Sequence, residues 1–309
     1  MRFGKRGKAS TDGQVGLVVS DESVTAVHIR RGDGEPPRLL ARFDGPKDGG
    51  SGTLAAWVAE HRLQGVPAAL TLDHGDYVIH QLDRPEVPAE ELRQALRWRL
   101  KDLIDYSPAD AVIDVFEAPP ARQKRIEPVQ VVAARASRLK PMVATINATG
   151  LDLQRIDIAE FALRNLLSRA LGSLETTAVL HLRPQRGTLQ ICRDDKFYFA
   201  RALDQGLDAL SYTAGGGTFG GLADVDDRIA LEAQRTMDYY DSHFGHGPVK
   251  KLLVLGRGAE LQRLVDYITS ALGLATRLVG AADLVSGLDE NDTVAEAMPL
   301  ALGGALGVA

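Results

Sequence analysis

The sequence predicts a mixed α/β protein of two lobes built on one repeated plan. Three observations predict it. Three strand-like segments open the chain, a second such trio opens its later half, and strands and helices alternate after each. With 309 residues, there is length for two ordinary domains that each bury a core.

The first trio is 15–19, 24–30 and 38–43, divided by polar or glycine-containing turns, and reads as a meander. After the loose stretch 45–52 come a short helix at 53–62 and strands at 68–72 and 77–82. Pro88, Glu90 and Glu91 then open a helix, since proline suits the first helical position and acids complement the positive end of the dipole. Its stripe is Leu92, Leu96, Leu100 and Leu103, it stops at Ser107-Pro108, and Trp98 falls on another face. Strands at 111–117 and 129–134 flank a proline-rich basic hairpin tip, and a helix near 137–148 ends at Gly150. This part reads as a small inserted α+β subdomain. The amphipathic helix 158–171, buried through Ala159, Ala162, Leu163, Leu166, Leu167 and Ala170, closes the first lobe.

The second trio is 178–182, 188–192 and 197–202. The glycine-rich stretch 213–221 lacks the Gly-Lys-Ser/Thr ending of a Walker loop and reads as a mobile connector, not a phosphate cradle. Asp226 or Asp227 is expected to cap the next helix, whose stripe is Ile229, Ala233, Met237, Tyr240 and Phe244. Strand 251–255, the turn Gly256-Arg257-Gly258 and a helix ending at Gly273 give strand, glycine turn, helix, a nucleotide-site geometry. The chain closes in a small-residue helix at 298–309, where Gly303 and Gly304 are costly unless close packing requires them.

Composition narrows the function classes. At 45% hydrophobic and 25% charged the chain is average for a globular protein, and its net charge of -5 gives no general attraction to nucleic acid or anionic lipid. No apolar run spans a bilayer and the amino end lacks a signal-peptide core, so a cytosolic protein is expected. Cys192 is the only cysteine, which excludes an intramolecular disulfide and a thiolate cluster. Residues 1–14 read as a flexible basic tail whose Arg2, Lys5, Arg6 and Lys8 are too few to anchor it to an anionic membrane.

Five segments in order resemble the MshI/PilM family of pilus-biogenesis proteins, in the FtsA-like branch of the actin-like ATPase superfamily. They are GLVVSDESVTAVHI at 16–29, VPAEELRQALRWRLKDLIDYSPADAVIDV at 87–115, GLDLQRIDIAEFALRNL at 150–166, RTMDYYDSHFGHGPVKKLLVLGRGAEL at 235–261 and MPLALGGAL at 298–306. The resemblance implies an actin-like (ribonuclease H-like) fold with an FtsA-type insertion. Its first lobe would span 15–172 with the insertion at about 87–156, and its second 173–309 with an outer subdomain at about 204–248.

Nucleotide-binding members of that superfamily carry an Asp-x-Gly turn in each meander, for Mg²⁺ and phosphate. Here Val18 stands at the first acidic position and Ser20 at its glycine, with Thr25 in place of a lysine; Asp21 and Glu22 leave a shifted carboxylate open. In the second meander the aligned residues are His181, Leu182 and Arg183, then Pro184. No Glu-x-x-Lys pair lies near 213–221, and only Gly256 and Gly258 remain of the base-side turn. Phosphoryl transfer depends on placed charge and metal, so neither ATP hydrolysis nor tight binding of ATP and Mg²⁺ is expected. Arg183, Arg186 and Arg257 would hold another anion only if they converge.

Other candidates read as structure. Asp73, His74 and Asp76 fit a strand-to-strand turn better than a metal site, and His243 and His246 lack a zinc spacing. Cys192, mid-strand, reads as an inert thiol. The expected function is therefore a non-enzymatic scaffold. The resemblance implies that it binds the cytosolic amino-terminal tail of a PilN-like bitopic inner-membrane protein, in a groove between the first lobe and the insertion. The groove is expected to involve Trp98, Leu72, Tyr77 and Tyr106. A pilus complex, with its motor ATPase, would be the wider partner, and no nucleic acid. Alternatives are an active actin-like ATPase and a GspL-like type II secretion component that recruits a motor ATPase.

Overall fold

The computed structural model describes residues 13–307 except 32–36, 48–52, 118, 121, 123–127, 173–174, 215–221 and 290–294. The basic tail up to residue 12, most of the hairpin tip, most of the glycine-rich stretch and residues 308–309 lie outside the described residues.

β1 (Gln14–Val19), β2 (Ser23–Arg30) and β3 (Arg38–Pro46) form the first antiparallel meander. Helix α1 (Leu54–Glu60) follows, with the Thr53 hydroxyl accepting from the Ala56 amide at 3.2 Å as its N-cap. β4 (Pro67–Leu72) then runs parallel to β1. β5 (Tyr77–Asp83), α2 (Leu92–Arg99), β6 (Ala111–Glu117) and β7 (Pro128–Arg135) make a separate unit, a three-stranded sheet of order β5-β7-β6. α3 (Ala136–Asn147) and β8 (Asp152–Ile158) return to the first sheet, where β8 pairs parallel with β4 and completes the order β3-β2-β1-β4-β8. α4 (Ala159–Leu171) ends this half.

The second half repeats the plan. β9 (Thr177–Leu182), β10 (Gly187–Arg193) and β11 (Lys196–Leu203) form the meander, and α5 (Leu207–Ala214) and α6 (Leu222–Phe244) follow. β12 (Lys251–Leu255), α7 (Ala259–Leu272) and β13 (Ala275–Val279) add two parallel strands, giving the order β11-β10-β9-β12-β13. α8 (Ala281–Leu284) and α9 (Met298–Leu306) close the chain. The inner strands β1, β4, β9 and β12 are apolar along nearly their whole length because helices or the other sheet cover both faces.

The strand pairing redraws three expectations. The inserted unit lies at 77–135, not 87–156. β5 is one of its strands, whereas Leu139, Met142 and Ile146 of α3 belong to the main core and β8 pairs with β4. β8 is a sheet edge with polar residues on both faces, Asp152 and Gln154 exposed and Arg155 and Asp157 half-buried, so it lacks the apolar–polar alternation that marks a strand. α9, assigned by position to the second lobe, packs instead on α4, β1, β2 and β4 of the first. Its glycines explain this. A Cβ on Gly303 would fall on the Ala162 carbonyl, one on Gly304 on the Thr71 hydroxyl, and one on Gly16 of β1 on the Ala301 carbonyl. Finally, α6 starts at Leu222, so Asp226 lies a turn inside it and accepts from Arg263 at 3.3 Å, while Asp227 accepts from the Tyr267 hydroxyl.

One core cluster is shared. It runs through α4 and α9 and includes Val179, Leu253, Leu255 and Val279 of the second sheet. At the junction of all three units, Phe116 of β6, Phe161 of α4 and Phe197 of β11 pack edge to face at 4.8 to 6.1 Å.

Candidate functional site

Three turns meet in the cleft between the two large sheets. In the β1–β2 turn the Ser20 hydroxyl accepts from the amides of Glu22 (3.3 Å) and Ser23 (2.9 Å). In the β4–β5 turn the Asp73 carboxylate accepts from the His74 amide at 2.9 Å, and Gly75 takes φ 123°, which only glycine adopts without strain. The β9–β10 turn is closed by the Arg183 amide on the Arg186 carbonyl (2.7 Å) and pinned by the start of α5, where the Leu207 and Asp208 amides reach the carbonyls of Arg183 and Pro184. With Arg138 of α3 these turns line a cavity of about 640 Å³. A second cavity, of about 600 Å³, lies between β2, β3 and residues 295–298, and Arg183 lines both.

A chain of charged and polar groups crosses the cleft. Arg183 Nη2 donates to Asp73 Oδ2 at 2.8 Å. Asp73 Oδ1 lies 3.5 Å from His74 Nδ1, and His74 Nε2 lies 3.5 Å from Glu160 Oε1. The Tyr77 hydroxyl donates to Glu160 Oε2 and accepts from the Ala159 amide at 3.2 Å. Glu160 is buried in the first turn of α4, where the positive helix end favours a carboxylate, and Gln190 of β10 donates to its backbone carbonyl at 3.2 Å. Within the first half of the chain, Arg138 grips Asp21 through two nitrogens (2.6 and 2.9 Å) and Asp76 at 3.2 Å.

Burial opposes the charge on Asp73, but hydrogen bonds from His74 and the Arg183 guanidinium hold its carboxyl at about 2. Burial likewise opposes an imidazolium at His74, yet Asp73 and Glu160 raise it to about 9. Burial, then Glu160, drives the Tyr77 phenol well above 10. His181 is the opposite case: burial, then the charges of Arg183 and His74, lower it to about 3, and its ring stays neutral. At neutral pH the cleft thus holds Asp73⁻ between Arg183⁺ and His74⁺.

The aligned nucleotide-site positions fall as follows. Val18 is buried inside β1, and Thr25, opposite it in β2, donates to Asp44 at 2.7 Å. Ser20 stays in its own turn, Asp21 is held by Arg138, and His181 and Arg183 sit at the foot of the β9–β10 turn. Gly256 (φ 135°) and Gly258 (φ 116°) shape the step from β12 to α7, where the Gly256 amide reaches the Val279 carbonyl at 3.0 Å. Arg183 and Arg186 line the cleft but Arg257 does not, so the three arginines do not converge on it. Asp73, His74 and Asp76 do form the expected turn. Their partners were not readable from the sequence, and Glu160, Tyr77, Arg138 and Gln190 were missed as their neighbours. Among the described residues no group of three or more His, Cys, Asp or Glu is placed to hold a metal. Burial pushes the Cys192 thiol up to about 12, and His246 lies edge-on to Tyr198 at 5.6 Å in an aromatic cluster.

The four residues expected to wall the tail groove do not do so together. Leu72 and Tyr77 are in the core, because the end of β4 and the start of β5 dive under α4. Tyr106 is half-buried beneath the Arg135 guanidinium, 4.6 Å from its ring centre. Trp98 is 70% exposed. Its helix buries Leu92, Leu96 and Leu100 on one face of the small sheet, and the other face carries Tyr77, Ile79, Phe116, Val132 and Ala134 into the main core. Trp98 therefore points away from both lobes.

Two sheets of the same unusual strand order, joined by α4 and α9 around one cleft, define an actin-like fold, here with an inserted α+β subdomain. Among solved structures, the PilM-PilN type IV pilus biogenesis complex is similar to this chain at 20% identity and a TM-score of 0.68, over 95% of this chain and 97% of that one. The cytoplasmic domain of EpsL, an inner membrane component of the type II secretion system of Vibrio cholerae, is similar at 12% identity and 0.52, over 95% and 94%. A Bacteroides thetaiotaomicron protein of actin-like ATPase fold and unknown function is similar at 7% identity and 0.50, over 89% and 94%. No family model matches the chain, and no curated protein does.

Proposed function

We propose that this chain is a scaffold of a type IV pilus assembly machinery, of the MSHA kind. In this reading it holds the cytosolic amino-terminal tail of a PilN-like bitopic protein at the inner membrane and works without ATP. The observation that carries the proposal is the likeness, along nearly the whole of both chains, to the PilM-PilN complex. No helix of the described residues is long and apolar enough to cross a membrane. In this reading the bitopic partner supplies the membrane attachment.

The cleft chemistry supports the ATP-independent part. Arg183, the cation nearest the aligned second phosphate turn, is already paired with Asp73, and Asp21, Glu22, Asp73 and Asp76 face the same cavity. Arg138, Arg186 and His74 line that cavity too and balance the four carboxylates. A triphosphate entering there would have to break the Arg183–Asp73 pair and would meet no net positive charge and none of the glycine-containing turns that bring backbone amides to phosphate. The tail would lie where the first lobe meets the inserted unit, beside Arg138 and Asp76.

Co-purification tests the proposal. The full chain should retain a PilN-like membrane protein, and a synthetic peptide of that protein's cytosolic tail should compete it off. Retention of a secretion motor ATPase in its place would favour the second reading, a type II secretion component, which the EpsL likeness supports more weakly. Failure to retain either would remove both.

A further inference from the structure

We infer that the outer face of α2 is a peripheral docking site for an anionic phospholipid surface, with Trp98 as its interfacial anchor. The inference rests on the geometry of the inserted unit and does not require the tail-binding reading.

Trp98 is the most exposed large hydrophobic residue among the described residues, on a helix whose opposite stripe is fully used in packing. It stands on a ridge between two arginines whose stems run down opposite flanks of α2. Arg97 reaches the Pro108 and Ala111 carbonyls beside β6 (3.0 and 2.8 Å), and Arg99 reaches the Asp83 carbonyl at the end of β5 (3.0 Å). Lys101 follows one turn on, exposed. Carbonyl partners fix the guanidinium groups without neutralising them, and among the described residues none of the three cations meets a carboxylate. Over 97–102 three cations stand against one anion, Asp102.

The net charge of -5 excludes a general attraction to anionic lipid, so any such contact must be local, and this face is locally cationic. A tryptophan ringed by arginine and lysine suits the headgroup layer, where the indole is half-solvated and cations meet lipid phosphate. The Trp98 side chain is exposed and fills no pocket of this chain. A protein partner would need a matching pocket for the indole, whereas a bilayer interface deforms around it. Each cation near such a surface strengthens binding about fivefold, which is weak alone and sufficient to orient a protein tethered by another contact.

The test uses the chain's own fluorescence. It has two tryptophans, and Trp57 is buried in the core at 6% exposure, so a change in emission on adding vesicles reports Trp98. Vesicles of phosphatidylglycerol with phosphatidylethanolamine should shift the emission to the blue and pellet the protein, and phosphatidylcholine vesicles should do neither. Trp98→Ala should abolish the shift and reduce pelleting, and the pair Arg99→Ser with Lys101→Ser should reduce pelleting by at least about tenfold. The inference fails if anionic vesicles leave the emission unchanged, if phosphatidylcholine works equally well, or if Trp98→Ala pellets like the parent. It also fails if the blue shift follows protein concentration without vesicles, which would make the face a contact between copies.

Discussion

Removing Arg183 should loosen the closure of the cleft by a measurable and specific amount. The Arg183–Asp73 pair spans 110 positions of chain at 2.8 Å, with side chains 20% and 25% exposed. That is intermediate between a surface pair, worth about 0–1 kcal/mol, and a buried one, whose rupture costs about 3–5 kcal/mol. Asp73 is held at about 2, against 3.8 for a free carboxyl, a gap of about 2 kcal/mol that Arg183 shares with His74. The cross-cleft term is then about 1 kcal/mol, and Arg183→Ala should cost about 1–2 kcal/mol in all, since Asp73 keeps its bonds to His74. Urea unfolding of Arg183→Ala, Asp73→Ala and the double variant forms a cycle that isolates the pair. Small-angle scattering should show a larger radius of gyration for each single variant. A coupling below about 0.3 kcal/mol, with unchanged scattering, would refute the idea that this pair holds the lobes together.

Other consequences follow from the same network and from α9. His74 has a folded value of about 9 above its ordinary 6.5, so the stability it contributes is complete below 6.5 and is lost as pH rises through 9; the difference between parent and His74→Ala in urea should shrink over that window. His181, lowered to about 3, has the reverse sign: the unfolded chain takes up a proton that the folded chain refuses, so stability falls as pH drops from 6.5 towards 3, and His181→Leu should flatten that acid limb. Tyr77→Phe leaves buried Glu160 and the Ala159 amide each short of a partner and should cost about 1–3 kcal/mol by thermal unfolding. Gly303→Ala puts a methyl on the Ala162 carbonyl where α9 meets α4, and should destabilise by about 1–3 kcal/mol or more; a variant of unchanged Tm would show that the two helices are not in such close contact.

Much of this architecture was legible because buried strands and amphipathic helices write their own periods into the chain. The two meanders, α4, α6 and α7 stand where apolar runs and stripes put them. The stripe of α2 failed only at Leu103, 43% exposed because the helix ends at Arg99 and its phase is lost. Edge strand β8 was hidden because polar residues on both of its faces erase the alternation. The placement of α9 was not readable from position, although Gly303 and Gly304 signalled a close approach. The cleft network was invisible for a different reason: it joins Arg183 to Asp73 and Tyr77 to Glu160 across 110 and 83 positions, and local patterns carry no such information. One signal was available. Glu160 shares a helix face with Leu163 and Leu167, and a carboxylate on a buried face requires partners.

Isothermal titration of the full chain with Mg·ATP addresses the occupancy of the cleft most directly. On the proposed reading, in which Arg183 is held by Asp73 and the metal-binding turns are lost, no saturable heat should appear at micromolar nucleotide. A dissociation constant in the low micromolar range, lost in Arg183→Ala, would mean that the cleft accepts a triphosphate and that the ATP-independent scaffold is wrong.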